Sequence, residues 1–186
     1  MKKSIYQFIF QKLMGWEIKA NSISEIKKCI VICVPHTSWH DFYLGVFSRG
    51  ILQEEFNFVA KKELFIFPLG IYFKWMGGAP LNRQKNENKV DSIAKIFAEK
   101  EVFRLAIAPE GTRKKVSEWK TGFYYIALKA NVPIIPVVFD HGNKILTYGK
   151  PFYPTGNIKE DLKILEQNYI DVLGRIPEYS FTPKKQ

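Results

Sequence analysis

Three short apolar runs constrain this chain more than any other feature: CIVICV (29–34), RLAIAP (104–109) and PIIPVVFD (133–140). Each is shorter than an ordinary helix, and none alternates as a strand with one wet face would. Such runs read as strands buried on both faces, as in parallel or mixed sheets covered by helices. Helical patterns lie between them. Val90, Ile93, Ala94 and Phe97 recur at helical spacing within 88–100, and GFYYIALKA (122–130) follows Thr121, a residue type suited to an N-cap. Further helices are expected over 4–15, from Ser38 or Trp39 to Phe47, and over 158–173. KKELF and LGIYFKWMG read as two short helical pieces split by Pro68. FNFVA (56–60), GAPLNR (78–83) and KILTYGK (144–150) read as further strands or extended segments. This alternation predicts one α/β domain over residues 1–186, its mixed, partly parallel sheet flanked by helices. Residues 29–140 hold its motif-bearing core.

A chain of 186 residues that is 46% hydrophobic can bury a core without disulfides. Cys29 and Cys33 share one apolar run and read as small core residues, which suits a reducing cytoplasm. The formal net charge is +10, and residues 158–186 hold five basic and five acidic residues, so the surplus lies on the motif-bearing part. A surplus placed there predicts an anionic partner: a phosphate-bearing substrate, a lipid surface or nucleic acid.

No cleavable secretory leader is expected, because Gln7, Gln11 and Lys12 interrupt the apolar start and no small-residue cleavage site follows. LFIFPLGIYF (64–73) is the longest apolar candidate and falls well short of the roughly 20 residues that span a bilayer. Residues 1–20 carry an amphipathic helix with lysines beside it. Ile5, Phe8, Ile9 and Leu13 either enter a membrane interface or dock on the core. The expected location is cytoplasmic, peripheral on the inner face of the cell membrane.

In open α/β sheets, ligands collect outside the carboxyl ends of strands. CIVICV runs into Pro-His-Thr-Ser-Trp-His-Asp, and RLAIA into Pro-Glu-Gly-Thr-Arg. His36 and Asp41 flank a strand-to-helix turn, so the carboxylate can reach back to the imidazole. A carboxylate on one ring nitrogen fixes the tautomer and leaves the other nitrogen free to accept a proton. Arg83 and Arg113 offer bidentate binding of phosphate. Gly111 allows a tight turn, and Glu110 can bind a substrate hydroxyl or hold an arginine. A metal site on His36, His40 and Asp41 is the competing chemistry, but Pro35 puts His36 before the helix and spoils the shared face. No metal and no resident cofactor are expected. A non-catalytic binder of anionic lipid or nucleic acid competes on charge and aromatic content, yet no recognised nucleic-acid motif is present, and none is expected as a partner. A hydrolase would carry a nucleophile elbow, which is not seen.

At these residues the chain resembles the glycerolipid acyltransferase family that includes 1-acylglycerol-3-phosphate acyltransferases. HTSWHD is similar to its H-x4-D block, GAPLNR to its second, PEGTR to its third and VPIIPV to its fourth, in the family's order. KKELFIFPLG and WKTGFYYIA also resemble family segments. The resemblance implies a glycerol-3-phosphate acyltransferase-like fold with His36 as general base and Asp41 orienting it. It implies that Arg83, Glu110, Gly111, Thr112, Arg113 and Lys120 bind the phosphate-bearing acceptor, and that Pro133 and Pro136 shape the pocket. The implied donor is an acyl thioester, acyl-CoA or acyl carrier protein. The acceptor is a lysolipid, and Pro80-Leu81-Asn82 ahead of Arg83 leaves non-glycerol lysolipids open. The work would be done at an anionic membrane surface.

Overall fold

The computed structural model describes residues 3–20, 23–81 and 88–183. Its seven strands are β1 (Glu17–Ala20), β2 (Lys28–Val34), β3 (Phe58–Lys61), β4 (Gly78–Leu81), β5 (Phe103–Ile107), β6 (Ile134–Asp140) and β7 (Ile145–Tyr148). Its helices are α1 (Lys3–Gln7), α2 (His40–Leu52), α3 (Leu69–Trp75), α4 (Lys89–Glu99), α5 (Gly122–Ala130) and α6 (Ile158–Glu166). Five strands form one sheet in the order β1-β7-β6-β2-β5. β2 lies between β6 and β5 and is parallel to both, with Ile30 opposite Leu105 on one side and Ile134 on the other. β7 turns back antiparallel on β6, and β1 joins its far side. The expected α/β architecture is therefore present, mainly parallel and covered by helices on both faces.

Strand alternation sorts β2 between two cores. Ile30, Ile32 and Val34 face α4 and α5 and pack with Phe97, Phe103 and Phe123. Cys29 and Val31 face α2 and join Leu44, Ile135 and Val137. Arg104, inside β5, is buried but satisfied: its Nε donates to the Ile26 carbonyl at 2.7 Å, and it pairs with Glu54 Oε2 at 3.0 Å. A buried charge persists only when partnered in this way.

Several details depart from expectation. β1 has no apolar pattern of its own: it is a short, mostly exposed edge strand bearing Glu17 and Lys19. GAPLNR does not join the main sheet; β4 pairs in parallel with β3 in a separate two-stranded sheet. That small sheet is tied to the β5 edge by Asn57, whose N–H donates to the Arg104 carbonyl at 2.7 Å and whose carbonyl accepts from Ala106 N–H at 2.8 Å. Helix α2 runs beyond Phe47 because Leu44, Ser48 and Ile51 continue its buried stripe; it ends where Gln53 turns left-handed, at φ 59°. Thr121 occupies the position before α5 but makes no side-chain cap bond. Its backbone is already helical, so its hydroxyl is not placed to receive the first amides.

The first helix continues past α1 as a wider π-helical segment, Phe8–Leu13. Tyr6 and Phe10 dock on Phe47 at ring separations of 6.0 and 6.4 Å. Gly50 permits that approach, since a Cβ there would overlap the Tyr6 ring. Ile5, Phe8 and Leu13 stay exposed. The segment thus docks through one face and leaves an apolar face outside. Among the described residues, no helix is long and apolar enough to cross a membrane.

Candidate functional site

β2 ends at Val34, and the chain passes through buried Pro35 into His36, two residues beyond the strand. Asp41 follows in the first turn of α2, where a negative charge suits the helix dipole. Its Oδ2 lies 3.0 Å from His36 Nδ1 and accepts the Ser38 N–H at 3.0 Å. The Asp41 side chain has no exposure, whereas that of His36 keeps 23%. An ionised Asp41 requires Nδ1 to carry the proton, so Nε2 presents a lone pair outward. Burial alone would raise the Asp41 pKa, but hydrogen bonds from His141, His36 and Ser38 outweigh it and hold the group down at about 2. The carboxylate therefore stays ionised at every physiological pH.

His141 is the residue sequence reasoning missed. Its Nε2 lies 2.8 Å from Asp41 Oδ1. The separation of 100 residues hid the contact. A usable signal was present, because His141 follows the third buried strand as His36 follows the first, and β6 lies beside β2 with Val138 opposite Val34. His40, by contrast, turns away: its Nδ1 contacts Ser38 Oγ at 2.8 Å and its ring stacks on Trp39 at 4.0 Å.

Glu110 sits after β5 and is 2% exposed. Its Oε2 accepts the His36 N–H at 2.6 Å, so it braces the turn that carries the imidazole rather than pointing to solvent. Burial raises its pKa to about 7; the bond from His36 opposes the rise, and Asp41's charge adds to it. Gly111 has φ +64°, and a Cβ there would collide with the Lys120 side chain, so this turn accepts only glycine without strain. Thr112 Oγ1 accepts the Lys114 N–H at 3.3 Å. Thr112, Arg113 and Lys120 are exposed, which leaves the PEGTR turn a basic rim. Arg83 lies outside the described residues.

A cavity of about 420 Å³ opens at His36, Asp41 and Arg113. Asp41, Gly45 and Arg49 line it on successive turns of α2, so it follows that helix for about 12 Å at 1.5 Å per residue. Its other walls are mostly apolar, with Val31, Phe42, Phe58, Phe73, Val137 and Phe139 prominent. From β6, Val137 and Phe139 form the wall where the family pattern implied Pro133 and Pro136. Pro136 falls on the opposite side of the strand, in step with Ile134 and Val138, and Pro133 precedes the strand at its end remote from His36. Cys33 also borders the cavity, but burial, with Asp41 and Glu110 adding to it, pushes its thiol up to about 12. It is no thiolate nucleophile at neutral pH.

The C-terminal segment braces the same loop. Thr37 Oγ1 accepts the Ile176 N–H at 3.1 Å, and Tyr169 donates its hydroxyl to the Ile32 carbonyl at 3.2 Å.

The sequence profile of the acyltransferase family matches residues 17–140. The chain belongs to that family. It is 28% identical over 151 residues to a chloroplastic 1-acyl-sn-glycerol-3-phosphate acyltransferase of Brassica napus, covering 78% of this chain and 42% of that protein. It is 29% identical over 142 residues to the human 1-acyl-sn-glycerol-3-phosphate acyltransferase beta, covering 73% and 50%. With the 1-acyl-sn-glycerol-3-phosphate acyltransferase of Bacillus subtilis it shares 29% identity over 133 residues, 69% of this chain and 62% of that one. The chain thus spans about half the length of the curated relatives it matches. The crystal structure of the 1-acyl-sn-glycerophosphate acyltransferase of Thermotoga maritima has the same fold, with a TM-score of 0.58 at 22% identity over 89% of this chain and 74% of that one.

Proposed function

We propose that this chain is an acyltransferase. It moves a fatty acyl group from an acyl thioester, acyl-CoA or acyl carrier protein, to the hydroxyl of a lysophospholipid-type acceptor such as 1-acylglycerol-3-phosphate. The observation that carries this reading is the junction of three features: a His36–Asp41 pair, an apolar cavity that begins at that pair, and a basic rim at Arg113. A long alkyl chain fits the cavity, and the acceptor phosphate suits the rim. The relatives' names agree with acyl transfer to a 1-acylglycerol-3-phosphate acceptor.

The chemistry is a single acyl transfer. His36 Nε2 takes the proton from the acceptor hydroxyl as its oxygen attacks the thioester carbonyl. The tetrahedral adduct collapses, the C–S bond breaks, and the leaving thiolate receives the proton from Nε2. Asp41 stabilises the transient imidazolium and fixes its orientation. The raised thiol of Cys33 argues against an acyl-cysteine intermediate. Arg49, two turns along α2 from Asp41, brings a charge to the apolar lining and limits the chain length accepted.

The site of action we assign is the cytoplasmic face of an anionic membrane. Phe67, Ile71 and Trp75 are 80%, 65% and 68% exposed, and Lys62 and Lys74 flank them. Tyr72 and Phe73, on the same α3, border the cavity, so lipid has a short path to the pair. Aromatic and apolar side chains beside lysines suit an interfacial position.

The test is thiol release from acyl-CoA and acyl carrier protein with a panel of lysolipids, and mass analysis of the product. His36→Ala should lose about 10²–10⁴-fold in kcat, the usual worth of a general base. Undiminished turnover in that variant ends the base assignment. Free fatty acid as sole product would make the protein a hydrolase.

A further inference from the structure

The geometry points to His141 as a positioning residue for the His36–Asp41 pair, acting through Oδ1, the Asp41 oxygen that does not touch His36. The inference rests on the reading of His36 as general base.

Asp41 carries three donors arranged on two oxygens. Oδ2 takes His36 Nδ1–H and the Ser38 N–H, both at 3.0 Å. Oδ1 takes His141 Nε2–H at 2.8 Å. Bonds to one oxygen alone leave a carboxylate free to swing about its terminal torsion, which is broad and soft. The bond on the opposite oxygen closes that freedom. The Asp41 side chain has no exposure, so a lost donor leaves the carboxylate under-satisfied until water enters from the adjoining cavity.

His141 is itself held from three directions. Its N–H donates to the Leu173 carbonyl at 2.8 Å and to the Phe139 carbonyl at 3.1 Å. Its ring stands edge-on to Trp16, with centroids 4.9 Å apart at 87°. Its side chain is 8% exposed. β6 beside β2 brings the two strand ends level, and the C-terminal segment fixes the backbone. A histidine clamped this firmly sets the plane of the carboxylate, and the carboxylate sets the plane of the His36 ring.

The bond also affects base strength. A hydrogen bond to Oδ1 draws negative charge away from Oδ2, so the His36 imidazolium is stabilised less. Loss of that donor leaves Oδ2 more basic and His36 harder to deprotonate. The acid limb of kcat/KM then moves to higher pH. Among the described residues, the ionisable groups around the trio include His40, Tyr43 and Arg49 of α2, Cys33 of β2, Glu110 and Arg113 after β5, Asp140 of β6, Tyr148 of β7 and Arg175 of the C-terminal segment. All are retained in every variant below, so the shift is read against a constant background.

The experiment compares His141→Met and His141→Gln in the full chain. The two side chains are close in volume, but only glutamine keeps a donor near the Nε2 position. His141→Met should lose about tenfold in kcat with KM within about twofold, the effect expected when a buried bond to a charged group is lost. Its acid limb should rise, and His141→Gln should recover most of both. Equal impairment of the two variants, or wild-type kcat and pH profile in His141→Met, overturns the inference. If His141→Met does not fold, ¹⁵N NMR of the unaltered protein decides: a proton on His141 Nε2 in a strong hydrogen bond is expected, and an unprotonated Nε2 overturns the role. His36→Ala is run beside them. Full activity there breaks the base assignment itself, whereas a dead His36→Ala with an unimpaired His141→Met breaks only the role of His141.

Discussion

On one face of β2, Ile30, Ile32 and Val34 are completely buried in a core shared with α4, α5 and the C-terminal residues Leu165, Tyr169 and Phe181. On the other, Val31 and Cys33 border a cavity of about 420 Å³ beneath α2. The same strand supplies both faces, and successive residues alternate between them. The difference teaches where this fold places its stability and where it gives some up. The α4–α5 face is filled, with Phe97 and Phe103 in edge-on contact at 4.8 Å. The α2 face keeps unfilled apolar volume and a buried carboxylate next to it, both of which cost packing.

The contrast can be broken most severely on the filled face. Phe97→Ala should destabilise the protein by about 3–5 kcal/mol, since the cavity left among fully buried neighbours cannot collapse. Denaturant unfolding measures this, and a loss under about 1 kcal/mol would mean that face is loosely packed. On the hollow side, the combined Phe67→Ser and Trp75→Ser change should weaken binding to vesicles containing phosphatidylglycerol by at least about tenfold, given 1.5–3 kcal/mol for each large apolar side chain moved out of water. Unchanged flotation with such vesicles would remove the α3 segment from the membrane contact.

Glu110 gives a smaller effect, and its sign is fixed by linkage. Its folded pKa, about 7, lies above its ordinary 4.5. Its neutral form therefore contributes stability that is full below pH 4.5 and lost as the pH rises through 7. Glu110→Gln keeps an oxygen for the His36 N–H without the charge. It should be more stable than wild type by roughly 1–3 kcal/mol at pH 8, with the advantage gone by pH 4. Thermal unfolding across that range reads it, and a pH-independent difference would contradict the burial argument. The mildest change is Gly45→Ala. A Cβ there meets nothing within 4 Å, and α2 gains a better helix former, so stability should rise by about 0.5–1 kcal/mol. Gly45→Leu extends the probe: it should fill the cavity with little cost to folding and shift the preferred acyl donor to shorter chains.

The sequence made the buried strands legible because their runs are continuous and bounded. It made His36, Asp41 and the PEGTR turn legible because each follows such a run directly. β1 was invisible, since a four-residue polar edge strand takes its structure from β7 and not from its own pattern. The placement of β4 was equally hidden, because pairing partners are a matter of topology. His141 escaped for the same reason: only the neighbourhood of β2 and β6 joins it to Asp41. The inward turn of Glu110 rests on a 2.6 Å contact with the His36 amide, 74 residues away in the chain, which local sequence does not encode.

The Asn57 tie has a consequence for how these molecules behave in company. A sheet with an open border offers a template to any passing strand, and β5 is such a border. Asn57 occupies the Arg104 carbonyl and the Ala106 amide, so that rim is already taken by the chain's own backbone. The opposite rim is four residues long and carries Glu17 and Lys19 in solvent. Both margins of the sheet thus discourage self-templated growth, a useful property in a protein that wears so many bare aromatic rings.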